Sequence, residues 1–221
     1  MVKQKKLSVF SFKSSSLFIL TFFLIILYFY FSPYFEINNV SKAYITNQGD
    51  NTVSIIDLET LKTLKTLKVG VAPLGITILQ KKKLVFVGNV GTDDISVIDA
   101  VNDRLIKTIK LGTAPLSLAS NSDETEVYVT DWFQNNVLTI SVDEMKVTRR
   151  LKVGITPSGI AYNKKYKYQV ITNRDANTLE IYNEDDDLVK KIETGNHPFG
   201  VYSEGDFAYV ANVYEIGRAH V

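Results

Sequence analysis

The sequence predicts an all-β fold: a β-propeller of four-stranded antiparallel blades, with four blades and the start of a fifth present, preceded by one transmembrane helix. Three observations carry that reading. One unit recurs four times with its prolines in register, the residues within each unit alternate with period 2, and the first 35 residues contain a long apolar run and no acidic side chain.

The N-terminal segment comes first. Between Lys13 and Glu36 lie 22 uncharged residues, Ser14 to Phe35, and twelve of those between Leu17 and Phe31 are Leu, Ile or Phe. At about 1.5 Å per residue a helix of this length spans a bilayer core of roughly 30 Å. Lys3, Lys5, Lys6 and Lys13 precede it, which places residues 1–13 in the cytoplasm. A cleaved signal peptide needs small residues at its exit, but the first alanine is Ala43, and the run leaves through Tyr28, Phe29, Tyr30 and Phe31. Residues 14–35 therefore read as a retained signal anchor, with Tyr28, Tyr30 and Tyr34 at the interface, Pro33 ending the helix and residues 36–42 a linker. The localisation expected is a single-pass membrane protein with its propeller outside the cytoplasm, periplasmic or at the cell surface. Cleavage near Ser41 would make it secreted.

The repeat follows. Segments 43–78, 85–120, 127–162 and 169–203 align, with Pro73, Pro115, Pro157 and Pro198 at steps of 42, 42 and 41 and Gly70, Gly112, Gly154 and Gly195 three positions before them. In the first unit, Ala43-Tyr44-Ile45-Thr46-Asn47 and Thr52-Val53-Ser54-Ile55-Ile56-Asp57 are short β-branched or aromatic runs across a polar turn. A third strand ends near Gly70 and a fourth begins after Pro73, and four strands in about 42 residues is the size of one propeller blade. The glycine is expected to supply a positive-φ turn and the proline to mark the loop before the next strand. Asn47, Asn89, Asp131 and Asn173 recur at the end of the first strand, where such side chains bond their own turn backbone.

The Ala43 to Asn47, Val127 to Asp131 and Ala208 to Asn212 strands, with the Val-Gly-x-x-Pro-x-Gly segments at Val69 to Gly75 and Val153 to Gly159, resemble the YVTN β-propeller repeat. The resemblance covers roughly residues 43–214. It implies an exported or surface-associated propeller, usually of seven blades, and hardly any particular activity. Against that pattern the chain reads as a C-terminally truncated fragment whose first repeat lacks an innermost strand. Residues 215–221 break the repeat and, reverse-translated, spell a common short-read sequencing adapter, so a non-native tail is expected there and Arg218 and His220 are set aside.

Composition excludes several classes. With no cysteine there is no disulfide, thiol nucleophile, Cys-ligated metal or covalent c-type haem. Four of the 25 basic residues lie in the first 35 residues, so the 24 acidic residues outnumber the 21 basic ones elsewhere, and no nucleic-acid partner is expected. No cofactor or metal is expected. Glu184-Asp185-Asp186-Asp187 lacks the spacing of a calcium loop and reads as a solvated turn, and the short basic runs Lys81 to Lys83 and Arg149-Arg150, by turns or strand ends, make no nucleic-acid surface.

Where units depart from their siblings, a structural role alone no longer accounts for the residue. The third unit places Trp132 and Phe133 at a strand connection where the first has Gln48 and Gly49. His197 stands in a pre-proline loop that in a propeller can face the central channel, and Arg174 follows Asn173 of the fourth unit. Trp132, Phe133, His197 and Arg174 are the binding candidates, and no catalytic residue is assigned. The function expected is a ligand- or protein-binding scaffold, its partner a protein, small molecule or glycan. The alternatives are a lactonase-like or quinoprotein-like propeller enzyme with its site in the central channel, and a structural surface-layer or adhesive module.

Overall fold

The computed structural model describes residues 41–214, which are strand and turn throughout with no helix. The expected membrane helix, the basic N-terminus, most of the linker and the tail from residue 215 lie outside the described residues. Among those described, no helix is long and apolar enough to cross a membrane.

Seventeen antiparallel strands form five successive sheets. The first holds β1 (Lys42–Asn47), β2 (Thr52–Asp57) and β3 (Thr63–Lys68). The second holds β4 (Pro73–Leu79), β5 (Leu84–Asn89), β6 (Asp94–Asp99) and β7 (Arg104–Lys110). The third is β8 (Pro115–Ser120), β9 (Glu126–Asp131), β10 (Asn136–Ser141) and β11 (Lys146–Lys152). The fourth is β12 (Pro157–Asn163), β13 (Tyr168–Asn173), β14 (Thr178–Tyr182) and β15 (Leu188–Glu193), and the fifth is β16 (Pro198–Glu204) with β17 (Phe207–Asn212). Each sheet is a meander in chain order. The strand count matches the sequence reading, but the phase does not. The strand that opens with proline pairs forward, as in Pro73 opposite Asn89, and so begins the next sheet instead of ending its own. Three sheets are thus four-stranded, flanked by one of three strands and one of two.

The phase has a local cause. Proline has no N–H to give to the preceding strand, and it sits where a sheet tolerates it, as the first residue of a strand. The reversal before it is made by the adjacent residue, since Ala72, Thr156 and His197 have φ of 52°, 57° and 53°. The glycines expected to make that turn do something else: Gly112 alone of the four has a positive φ. Gly154 is needed for close approach, because a Cβ there would lie 2.6 Å from the Asn173 carboxamide carbon, and Gly70 meets Asn89 in the same way. The asparagines differ from expectation too. Asn47 donates across to Thr52 and Ser54 at 3.0 and 2.8 Å, and Asn89 to Asp94 and Ser96 at 2.8 and 2.9 Å. Only Asp131 of this set bonds its own turn, accepting from the backbone N–H of Phe133 and Gln134.

The cores lie between sheets. β5 shows why: Val85 and Val87 pack with Tyr44, Val53 and Ile55 of the first sheet, while Phe86, one residue over, packs with Val127, Val129 and Leu138 of the third. Both faces are buried, so the strand reads as a continuous apolar run with alternate residues serving opposite cores. Each such side chain contributes about 1.5–3 kcal/mol on leaving water. A third cluster joins Tyr128 and Val137 to Ile160, Tyr162, Ile171 and Tyr182 of the fourth sheet. The proline strands β4, β8, β12 and β16 pack one on the next without pairing, which makes them the inner strands of the array. The outer strands β3, β7 and β15 are largely exposed, and their lysines guard the edge against further pairing.

Polar contacts gather at the end opposite the proline turns, some within a sheet and some across a junction, as where Lys42 of the first sheet pairs with Asp103 of the second at 2.8 Å. Tyr128 donates to Glu126 at 2.9 Å and Arg149 binds the same carboxylate at 3.1 Å. The acidic turn belongs here: Glu184 accepts from Tyr162 at 2.8 Å, and that hydrogen bond holds its carboxyl below the usual range. Burial, then the neighbouring carboxylates, push the phenols of Tyr128, Tyr162 and Tyr182 upward, and Tyr44, buried beside Asp103, is pushed up to about 12.

Candidate ligand-binding site at the loop face

Antiparallel alternation puts two kinds of connection at the same end of the sheets: the hairpin turns that precede β2, β6, β10 and β14, and the pre-proline turns that lead to the next sheet. One repeated device ties them together. Asn51, Asn135 and Asn177 close the first kind of turn with φ of 58°, 55° and 54°, a conformation Asn tolerates better than most residues. Their Oδ1 atoms accept from the backbone N–H of Ala72, Thr156 and His197 at 2.9, 2.8 and 2.9 Å. The loops of this face are therefore held by bonds to backbone, and what their tips carry is free to vary.

The tips of the third, fourth and fifth sheets converge. Trp132, partly buried, meets Phe199 at the start of β16 edge-on, with ring centroids 6.2 Å apart. Arg174 lies over the Trp132 ring at 5.7 Å and over the Tyr214 ring at 5.8 Å, and Tyr214 in turn packs edge-on against His197 at 4.7 Å. Asp175 anchors the group. Its Oδ1 pairs with Arg174 Nη1 at 2.6 Å and stands 4.0 Å from His197 Nε2, while its Oδ2 accepts from Thr156 Oγ1 at 2.7 Å. His197 Nδ1 is buried and has no hydrogen-bond partner.

Three of the four candidates, Trp132, Arg174 and His197, thus share one site. Phe133 does not join them: its side chain is 73% exposed, because neighbouring residues on a tight turn point apart. Sequence reasoning missed Asp175, Thr156, Phe199 and Tyr214. Phe199 left a signal, standing where the siblings have Leu74, Leu116 and Ser158. The arrangement can present aromatic rings, a guanidinium and an imidazole to one ligand. Among the described residues no group of three or more His, Asp or Glu side chains is placed to hold a metal ion.

A model of the YNCE-like β-propeller family matches residues 32–209, and the chain belongs to that family. No curated protein matches it. Among solved structures it is similar to a functionally unknown protein from Desulfotomaculum acetoxidans, at 17% identity with a TM-score of 0.70, covering 78% of this chain and 58% of that one. It is also similar to a catalytically inactive virginiamycin B lyase from Staphylococcus aureus with quinupristin, at 14% identity, TM-score 0.68, and 79% and 60% coverage. A third is the hydrazine synthase of Kuenenia stuttgartiensis, at 20% identity, TM-score 0.67, and 74% and 48% coverage. At these identities the likeness is one of fold. The chain spans about half to three fifths of the length of these structures.

Proposed function

We propose that the protein is a membrane-anchored, extracytoplasmic β-propeller that serves as a binding scaffold, its ligand or protein partner held at the loop face by Trp132, Arg174 and His197 with Phe199 and Tyr214. The observation that carries the reading is their convergence from three successive sheets around Arg174, which Asp175 pairs with. Blades supply a rigid frame, and the divergent tips supply specificity. The anchor reading rests on the apolar run 14–35 and the lysines before it.

Calorimetric screening of the full-length protein in detergent against chemically varied small molecules and peptides tests the binding role. At least one ligand is expected whose heat of binding disappears in both Trp132→Ala and Arg174→Met. Ligands that bind both variants as they bind the parent would place the function elsewhere. For the anchor, the expected result is recovery in the membrane fraction after a carbonate wash. Soluble full-length protein with a new N-terminus near Ser41 would replace the anchor with a cleaved signal.

A further inference from the structure

We infer that the loop-face site takes a small aromatic carboxylate, a planar ring bearing one carboxylate group; the inference rests on the binding role proposed above and names its ligand class. The first consideration is which charge the site can accept. Aromatic faces of Trp and Tyr around a central space are a standard receptor for an organic cation. Here that space holds the protein's own cation, since Arg174 lies 5.7 Å over Trp132 and 5.8 Å over Tyr214. A cationic ligand would have to expel a guanidinium that is also paired with Asp175 at 2.6 Å. An anionic ligand leaves that arrangement in place.

The second consideration is what the site still lacks. A guanidinium carries five N–H donors in a planar fork. Among the described residues that of Arg174 makes one hydrogen bond, from Nη1 to Asp175, and its side chain is 23% exposed. The Asp175 carboxylate is already engaged by Thr156 as well as Arg174, with His197 close by, so it has little left to offer. The donors of the Arg174 fork therefore exceed the acceptors that the site offers them. A carboxylate answers the planar fork with two parallel hydrogen bonds, a geometry that an alcohol cannot reproduce.

The third consideration is the ring. Phe199 is 39% exposed beside Trp132, leaving an apolar rim against which a planar ring can stack while its carboxylate reaches Arg174.

The test uses the full-length protein in detergent and Trp132, the single tryptophan, as the reporter. Its emission is titrated with benzoate, benzyl alcohol and benzylamine, three probes that share a ring and differ in charge. Benzoate is expected to give a saturable change, benzyl alcohol to bind at least about tenfold more weakly, and benzylamine to give none. Arg174→Met keeps a flexible chain against Trp132 but removes the fork; it should weaken benzoate about tenfold or more and abolish the preference over benzyl alcohol. Arg174→Lys keeps the charge without the fork and should fall between the two, and it serves in place of the Met variant if that one misfolds. Benzylamine binding as tightly as benzoate, no saturable response to benzoate, or unchanged benzoate binding in either variant would overturn the inference. A saturable response to benzyl alcohol or benzylamine alone, lost in Phe199→Ala, would overturn the carboxylate while sparing the binding role. Silence from all three probes together with an empty calorimetric screen would overturn both.

Discussion

Gly159, the third residue of the inner strand β12, has no room for a side chain: a Cβ there collides with the carbonyl oxygen of Phe199 on the neighbouring inner strand. The obstacle is backbone, which cannot swing aside, so Gly159→Ala should destabilise the protein by about 1–3 kcal/mol in chemical denaturation. An unchanged midpoint would mean that the inner strands stand farther apart than described. Leu61 presents the opposite case. It has φ of 57° and is 77% exposed, so it bears the left-handed strain with little packing in return. Leu61→Asn should raise stability by about 1 kcal/mol, and a lowered midpoint would count against the turn geometry. At this scale the sequence was only partly legible. It marked the glycines as special but not why, because a close approach between residues such as Gly154 and Asn173 exists only once two sheets are packed.

The strand connections are where fold passes into site. The turn after β9 is shaped by Asp131, fully buried, whose Oδ1 accepts from two backbone N–H groups and from the Thr113 hydroxyl. Asp131→Ala leaves those donors without an acceptor and should cost about 1–3 kcal/mol, while releasing Trp132 from Phe199. A shift of the tryptophan emission toward that of the free side chain, accompanying the stability loss, is the expected sign. Period-2 alternation and regular prolines made the strands readable in the sequence, but alternation does not say which neighbour a strand pairs with. The phase was decided by the missing proline N–H and the left-handed residue before it, and Ala72, Thr156 and His197 carry no common side-chain signature that would have announced this. Trp132 was legible as a departure from a repeat, and His197 as the histidine of a pre-proline loop. Asp175 and Tyr214 were not, because their role depends on which sheets stand side by side.

Across the whole molecule, stability should fall in alkali. Tyr44, Tyr128, Tyr162 and Tyr182 all have phenols pushed above the ordinary value of 10.0 by burial and neighbouring carboxylates. The unfolded chain ionises these groups near pH 10 and the folded one does not, so above that pH the unfolded state binds fewer protons and is favoured. The stability they contribute is complete below about pH 10 and, for Tyr44, is lost as the pH rises through about 12. A denaturation midpoint that stays level from neutral pH to about 9 and then drops, in step with phenolate absorbance, is expected. The junctions that these tyrosines occupy also hold successive sheets in place, which is what brings residues of three sheets together at the loop face.

That convergence is the central claim, and the emission of Trp132 in the ligand-free protein tests it most directly. The account predicts that Phe199→Ala and Arg174→Met each shift the spectrum, since both groups touch the indole, whereas Phe133→Ala, next to it in sequence but turned to solvent, leaves it unchanged. A spectrum that responds to Phe133→Ala and ignores the other two would contradict the site as described.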